Sequence, residues 1–120
     1  MKRVLVVDDE LAIGEAIRDV LEAEDYEVEL ALNGRDALVC IRRARPHAVL
    51  LDVMMPVMDG HAVLAELDGD EALRDLPVAV MSAGHNVRDR LGPDRPFLPK
   101  PFELDALLEM VAELVRRGGG

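Results

Sequence analysis

Three short, continuous apolar runs, each stopping at a polar side chain, constrain the fold of this chain most strongly. They are residues 4–7 (VLVV), 48–51 (AVLL) and 77–81 (PVAVM), and they stop at Asp8, Asp52 and Ser82. Successive side chains of a strand point to opposite faces, so a strand that is apolar throughout must be covered on both sides. The runs therefore predict strands of a parallel sheet that lies between layers of helices.

Helical patterns separate these runs. Apolar residues recur at spacings of three and four in residues 13–21, 37–41, 63–67 and 104–115, while residues 27–32 alternate in the manner of a strand. Asn33 is a candidate helix cap. Regular alternation of strand and helix favours right-handed crossovers. We predict an α/β fold with a doubly wound, five-stranded parallel sheet in the order 2-1-3-4-5, of the flavodoxin-like type.

The stretch between Ser82 and Phe97 departs from this regular pattern. Residues 84–96 have little apolar periodicity and several glycines and prolines, which predicts a shortened fourth helix. Pro96 and Pro99 flank Phe97, as is typical of an edge strand. We expect one domain over residues 1–117, with residues 118–120 as a glycine-rich tail or a truncated linker.

Charge and composition exclude several classes of function. The 120 residues have a formal net charge of −10, which disfavours direct binding to nucleic acid. Cys40 is the single cysteine, so no intramolecular disulfide can form, and a reducing compartment fits best. No apolar stretch is long enough for a signal peptide core or a membrane span. We therefore expect a cytoplasmic protein without membrane contacts.

Acidic residues follow two strands that are neighbours in the predicted order. Asp8 and Asp9 follow the first strand, and Asp52 ends the third, so the three carboxylates should share one crevice at the carboxyl edge of the sheet. Two unit charges about 4 Å apart repel by roughly 4 kcal/mol at an effective dielectric constant near 20. A divalent cation with oxygen ligands relieves this repulsion, and Mg²⁺ is the usual candidate.

Four motifs in order along the chain resemble one family. They are residues 6–10 (VVDDE), 50–60 (LLDVMMPVMDG), 80–83 (VMSA) and 97–102 (FLPKPF). Together they are similar to the receiver domains of two-component response regulators, including single-domain chemotaxis regulators. The resemblance extends over residues 2–117.

The resemblance implies a role for each residue at the carboxyl edge. Asp52 would be the phosphoacceptor, and Mg²⁺ would be bound by Asp8, Asp9, Asp52 and the backbone carbonyl of Met54. Mg²⁺ would be the only cofactor.

The same resemblance implies a switch around this centre. Ser82 and Ala83 would contact the phosphoryl oxygens, and Lys100 would pair first with Asp52 and then with the phosphoryl group. Phe97 would turn inward when Ser82 moves, and the bond between Lys100 and Pro101 is often cis in this family.

The function that these roles imply is a phosphorylation-activated signalling switch. The donor would be the phosphohistidine of a histidine kinase or of a phosphotransfer protein, and the output would be contact with a downstream protein target. The chain would not be an enzyme beyond its own phosphoryl transfer and slow autodephosphorylation. We expect a monomer or a weak, phosphorylation-dependent dimer.

Two alternatives stay open on the sequence. A haloacid-dehalogenase type phosphohydrolase also uses an aspartyl phosphate, but it needs a second aspartate where this chain has Met54. A pseudo-receiver would keep the fold and bind partners without switching, and the short segment before Phe97 is the feature that favours it. A dinucleotide-binding protein is excluded, because no GxGxxG follows the first strand.

Overall fold

The computed structural model describes residues 1–53, 55, 58–83, 91 and 95–118. Within these residues, strands and helices alternate from the first strand to the last helix. In chain order they are β1 (Arg3–Val7), α1 (Leu11–Glu22), β2 (Glu27–Ala31), α2 (Gly34–Arg43), β3 (Ala48–Asp52), α3 (Gly60–Asp68), β4 (Val78–Ser82), β5 (Phe97–Pro99) and α4 (Leu104–Gly118).

The five strands form one parallel sheet in the order β2-β1-β3-β4-β5. This arrangement confirms the predicted doubly wound fold and the predicted strand order. Val6 of β1 is paired with Leu50 of β3, and Asp52 of β3 with Met81 of β4, so the strand ends lie in register. Strand β4 begins one residue later than predicted and includes Ser82 as its last residue.

Each face of the sheet has its own apolar core, as continuous apolar strands require. On one face, Leu5 and Val7 of β1 lie in a buried cluster with residues of α2 and α3. On the other face, Val4 and Val6 lie in a buried cluster with residues of α1 and α4. These four apolar side chains of β1 are at most 2% exposed. Burial of this kind contributes roughly 1.5–3 kcal/mol for each large aliphatic side chain.

Side-chain caps mark the beginning of α2 and of α3, which lie on the same face of the sheet. The Oδ1 atom of Asn33 accepts a hydrogen bond of 2.9 Å from the backbone N–H of Asp36, which confirms the predicted cap of α2. Asp59 caps α3 in the same way, with a bond of 3.0 Å from Ala62. The Asp59 cap thus defines the start of α3.

The predicted short helix before Phe97 falls mostly on residues 84–90 and 92–94, which lie outside the described residues. Strand β5 lies at the edge of the sheet next to β4, as the prolines around Phe97 indicate. In the part of the chain that the structure describes, no helix combines the length and the apolar character needed to span a membrane.

Candidate functional site

The carboxyl ends of β1 and β3 bring two buried carboxylates together. Asp8 follows β1 and Asp52 ends β3, and the two residues are 1% and 5% exposed. The backbone N–H of Asp8 donates to the carbonyl of Ala31, and its Oδ1 atom accepts a hydrogen bond of 2.9 Å from the backbone N–H of Glu10. These two bonds hold the Asp8 carboxylate at the end of the strand, facing the crevice.

Asp9 completes a group of three carboxylates. One oxygen each from Asp8, Asp9 and Asp52 lies within 4.8 Å of the others, although Asp9 itself is exposed to solvent. Three hard oxygen ligands at this separation can bind one divalent cation, and such ions accept carboxylates and water together. The residues present therefore fit Mg²⁺. Met54, which was expected to add its backbone carbonyl, lies outside the described residues.

Lys100 supplies a positive charge within this group. Its Nζ atom lies 2.8 Å from Oδ2 of Asp8 and 3.4 Å from Oδ2 of Asp52, so it pairs with both acids. Burial acts to lower the pKa of Lys100, but the hydrogen bond to Asp8 and the charge of Asp52 outweigh it, and the pKa is raised above its usual value. Lys100 is therefore held as a cation.

The backbone around Lys100 is held by the neighbouring strand. The N–H of Lys100 donates to the carbonyl of Ser82 at 2.9 Å, and the peptide bond between Lys100 and Pro101 is cis. The hydrogen bond from Lys100 to Ser82 extends the parallel pairing of β4 with β5 by one residue. The lysine is thereby held at the same edge of the sheet as the acids.

The structure distributes the remaining predicted residues over β4 and β5. Ser82 is the last residue of β4, next to β3, and is 2% exposed, whereas Ala83 is exposed just beyond it. Phe97 begins β5, two strands from β3, and is half-buried against the core cluster under α2 and α3. Ser82 and Ala83 thus lie at the carboxyl edge of the sheet, whereas Phe97 lies at the amino end of β5.

The sequence did not indicate that Gly60 shapes the site. A Cβ atom at Gly60 would lie 2.6 Å from Cα of Val53 and 2.9 Å from the carbonyl oxygen of Asp52. The first residue of α3 therefore touches the backbone of the acid-bearing strand, and only glycine leaves room for it. The feature of the sequence that could have indicated this role is the position of Gly60, directly after Asp59 and at the end of the motif of residues 50–60.

Comparison with known proteins agrees with this geometry. A family model described as the response regulator receiver domain matches residues 4–112. The chain belongs to the response-regulator receiver family. It is therefore a receiver domain of two-component signalling, and members of this family bind Mg²⁺ at their acidic pocket.

Among relatives, the receiver domain is similar to response regulator MprA of Mycolicibacterium vanbaalenii, with 46% identity over 122 residues. Response regulator MprA of Mycobacterium tuberculosis is 44% identical over 120 residues. Both alignments cover 96% of this chain and 51% of the relative, so the chain spans about half the length of these curated relatives.

Solved structures show the same architecture. The receiver domain of a signal transduction histidine kinase from Syntrophus aciditrophicus matches with a TM-score of 0.87 and 31% identity, over 97% of this chain and 91% of that one. The chemotaxis response regulator CheY4 of Vibrio cholerae matches with a TM-score of 0.84 and 28% identity, over 95% and 98% of the two chains. The fold and the family thus agree.

Proposed function

We propose that this receiver domain is a phosphorylation-activated switch in which Asp52 accepts a phosphoryl group from the phosphohistidine of a histidine kinase or a phosphotransfer protein. One observation supports this best. Asp52 is buried beside Asp8 and Asp9 at the carboxyl edge, and Lys100 lies within 3.4 Å of its carboxylate. A nucleophilic carboxylate surrounded by groups that stabilise transferring charge is what phosphoryl transfer needs.

The proposed transfer moves one phosphoryl group between two side chains. A carboxylate oxygen of Asp52 attacks phosphorus and forms a P–O bond while the P–N bond of the donor phosphohistidine breaks. The electron pair of that bond returns to the ring nitrogen, so a phosphohistidine protonated on its other nitrogen leaves as neutral histidine. The product is a mixed anhydride at Asp52, and later attack by water on the same phosphorus would release phosphate and reset the switch.

The surrounding side chains act by charge and by hydrogen bonds. Mg²⁺, when bound by Asp8, Asp9 and Asp52, supplies positive charge toward the phosphoryl oxygens. Lys100 is a flexible point charge that can leave Asp8 and pair with the new phosphoryl group. The hydroxyl of Ser82 and the backbone of Ala83 lie at the end of the adjacent strand, where they can donate to the same oxygens.

Output would follow from movement along β4 and β5. Ser82 would be drawn toward the phosphoryl group and Phe97 would turn further inward, which would change the face that a downstream protein target recognises. In Phe97→Ala, partner binding should lose its dependence on phosphorylation, as read by titration with the partner before and after phosphorylation. Binding that still depends on phosphate in this variant would exclude Phe97 as the coupling residue.

The whole protein can be larger than this domain, since relatives are about twice its length. We propose that the receiver itself contacts a protein target rather than nucleic acid, because its net charge is −10. We also propose a cytoplasmic location, and either a monomer or a weak, phosphorylation-dependent dimer. Sedimentation with and without phosphorylation tests the last point, and an unchanged molecular mass would exclude such a dimer.

Incubation with acetyl phosphate tests the proposal as a whole. Intact mass spectrometry should show one added phosphoryl group in the presence of Mg²⁺ and none in EDTA. Asp52→Asn should stay unmodified, whereas Asp19→Asn, a change at an exposed acid of α1, should be modified like the wild type. If neither acetyl phosphate nor a phosphorylated kinase modified the wild type, the result would contradict the proposal and favour a pseudo-receiver.

A pair of neighbouring acids tests the metal ligands separately. Asp9 belongs to the three-carboxylate group and Glu10 does not, although both are exposed. Asp9→Asn should weaken Mg²⁺ binding about tenfold or more, since a charged ligand is lost, while Glu10→Gln should change it little. Equal effects of the two changes would show that the ion is held by the general negative charge of the surface.

A further inference from the structure

The connection between β2 and α2 contacts both acid-bearing parts of the site. At its start, the carbonyl of Ala31 accepts a hydrogen bond of 3.1 Å from the backbone N–H of Asp8. At its end, the backbone N–H of Gly34 donates to the carbonyl of Met58 at 3.2 Å. This connection therefore joins the end of β1 to the segment that follows β3, although its own side chains lie outside the three-carboxylate group.

Gly34 packs directly against the backbone of the segment that follows β3. A Cβ atom at Gly34 would lie 2.5 Å from the carbonyl oxygen of Met58 and 2.6 Å from Cγ2 of Val63 in α3. Side chains essentially never approach other atoms this closely, and a backbone carbonyl cannot rotate away as a side chain can. Any larger residue at position 34 must therefore displace the backbone at Met58, the start of α2, or both.

The segment that follows β3 is short and held at several points. The N–H of Gly60 donates to the carbonyl of Val53 at 3.3 Å, which closes the base of the segment next to Asp52. Met55 is 8% exposed, and Met58 packs against the same core under α2 and α3. Because closely packed interiors transmit strain, a displacement at Met58 should reach the end of β3.

We infer that Gly34 is a positioning residue for Mg²⁺ binding and phosphoryl transfer, because its contact with Met58 sets the spacing between the end of β1 and the segment after Asp52. This inference rests on the function proposed above. Mg²⁺ demands nearly ideal octahedral geometry with ligands at about 2.0–2.1 Å, whereas Ca²⁺ accepts irregular sets of ligands at about 2.3–2.6 Å. A displaced segment should therefore weaken the binding of Mg²⁺ more than that of Ca²⁺.

Gly34→Ala tests this role through the selectivity of the site. The full chain is titrated with MgCl₂ and, separately, with CaCl₂ by calorimetry, well below the unfolding temperature. We expect the affinity for Mg²⁺ to fall about tenfold and that for Ca²⁺ by about threefold or less, so that the ratio of the two affinities falls. The Mg²⁺ concentration that gives half the maximal rate of modification by acetyl phosphate should rise with the dissociation constant.

Two control variants separate positioning from stability. Gly14→Ala makes the same chemical change in α1, where the added Cβ would lie 3.6 Å from the side chain of Leu30, and it should keep both affinities. Val111→Ala truncates a fully buried side chain of α4, on the other face of the sheet from Gly34 and Met58. It should lower the midpoint of thermal unfolding and leave the ratio of Mg²⁺ to Ca²⁺ affinity unchanged.

A double variant distinguishes the two contacts of the added Cβ. Val63→Ala removes the side-chain atom that this Cβ would meet, but it leaves the carbonyl of Met58 in place. The double variant Gly34→Ala, Val63→Ala should therefore keep the lowered ratio of affinities, relative to Val63→Ala alone. Recovery of the wild-type ratio would show that the effect arises from the packing of α2 on α3, and it would overturn the inference.

Asn33→Ala provides the test if circular dichroism shows that Gly34→Ala does not fold. It removes the side-chain cap at the start of α2 without adding an atom near Met58. Because Gly34 is then held less firmly, the ratio of Mg²⁺ to Ca²⁺ affinity should fall in the same direction, by about twofold. An unchanged ratio in this variant would overturn the inference.

The outcomes for the wild type and for Gly34→Ala separate this inference from the proposed function. If both bind Mg²⁺ with the same selectivity and both are modified at Asp52, only the role of Gly34 is contradicted. Equal changes of the ratio in Gly34→Ala and Val111→Ala would also contradict that role, since lost stability would then explain them. A wild type that neither binds Mg²⁺ nor is modified would contradict the proposed function together with the inference.

Discussion

The Nζ atom of Lys100 lies 2.8 Å from Oδ2 of Asp8, although 92 residues separate them in the chain. The Asp8 side chain is fully buried and that of Lys100 is 17% exposed. This contact joins the loop after β5 to the end of β1, on opposite sides of β3 and β4. It also brings the lysine to Asp52, so the stability of the fold and the charge balance of the site depend on the same ammonium group.

Lys100→Met should destabilise the protein, because it leaves the buried carboxylates without their cation. We expect the free energy of unfolding to fall by about 2–3 kcal/mol in EDTA, somewhat less than for a fully buried pair because the lysine is partly exposed. Mg²⁺ should recover part of this loss, since the ion supplies charge to the same oxygens. Urea unfolding with and without Mg²⁺ measures both effects, and an equal loss in the two conditions would contradict the shared role of lysine and metal.

Gly60→Ala should disturb both stability and phosphorylation. The added Cβ would lie 2.6 Å from Cα of Val53, so the backbone that carries Asp52 must move. We expect a loss of about 1–3 kcal/mol, as for overpacking in other cores, and slower modification by acetyl phosphate.

Gly14→Ala is the matched control for this prediction. Its Cβ would meet only the side chain of Leu30, at an ordinary contact distance of 3.6 Å, and Gly14 is the fourth residue of α1. This change should leave phosphorylation unaltered and raise the stability by up to about 1 kcal/mol. Equal behaviour of the two alanine variants in thermal unfolding and phosphorylation would show that Gly60 has no special role.

The fold was largely predictable because few other arrangements bury strands such as residues 48–51. A run that is apolar on both faces needs helices on both sides, and the acids at the strand ends then meet at one edge. The contact of Lys100 with Asp8 was not predictable, because it depends on the path of the backbone after β5.

His47 should make stability fall on acidification. Burial, together with the positive charges of Lys2 and Arg3, lowers its pKa below the usual 6.5, and its Nδ1 atom accepts a hydrogen bond of 2.9 Å from the backbone N–H of Arg3. The neutral ring is therefore favoured in the folded state. The stabilisation of the folded state by the neutral His47 ring is complete above pH 6.5. It is lost as the pH falls through the lowered pKa of His47.

Replacement by asparagine tests this titration, because its amide oxygen can accept the same bond without ionising. In His47→Asn, the decline in unfolding free energy below pH 6.5 should be smaller than in the wild type. Chemical denaturation at several pH values measures this. An identical pH profile for His47→Asn and the wild type would contradict the role assigned to His47.

Cys40 should react slowly with iodoacetamide at neutral pH. Burial and the nearby carboxylate of Glu29 raise the pKa of its thiol, so little reactive thiolate is present. Glu29→Gln should lower this pKa and speed alkylation several-fold, while Glu27→Gln on the same strand should not. Alkylation followed by mass spectrometry gives the rates, and faster reaction in Glu27→Gln than in Glu29→Gln would contradict the account.

The most direct test of the central claim is to locate the phosphoryl group itself. Borohydride reduces an aspartyl phosphate to homoserine, which marks the modified residue permanently for peptide sequencing by tandem mass spectrometry. After phosphorylation with Mg²⁺ and reduction, we predict homoserine at position 52 and at no other aspartate. Homoserine at Asp8, Asp9 or any other acid, with Asp52 intact, would contradict the account.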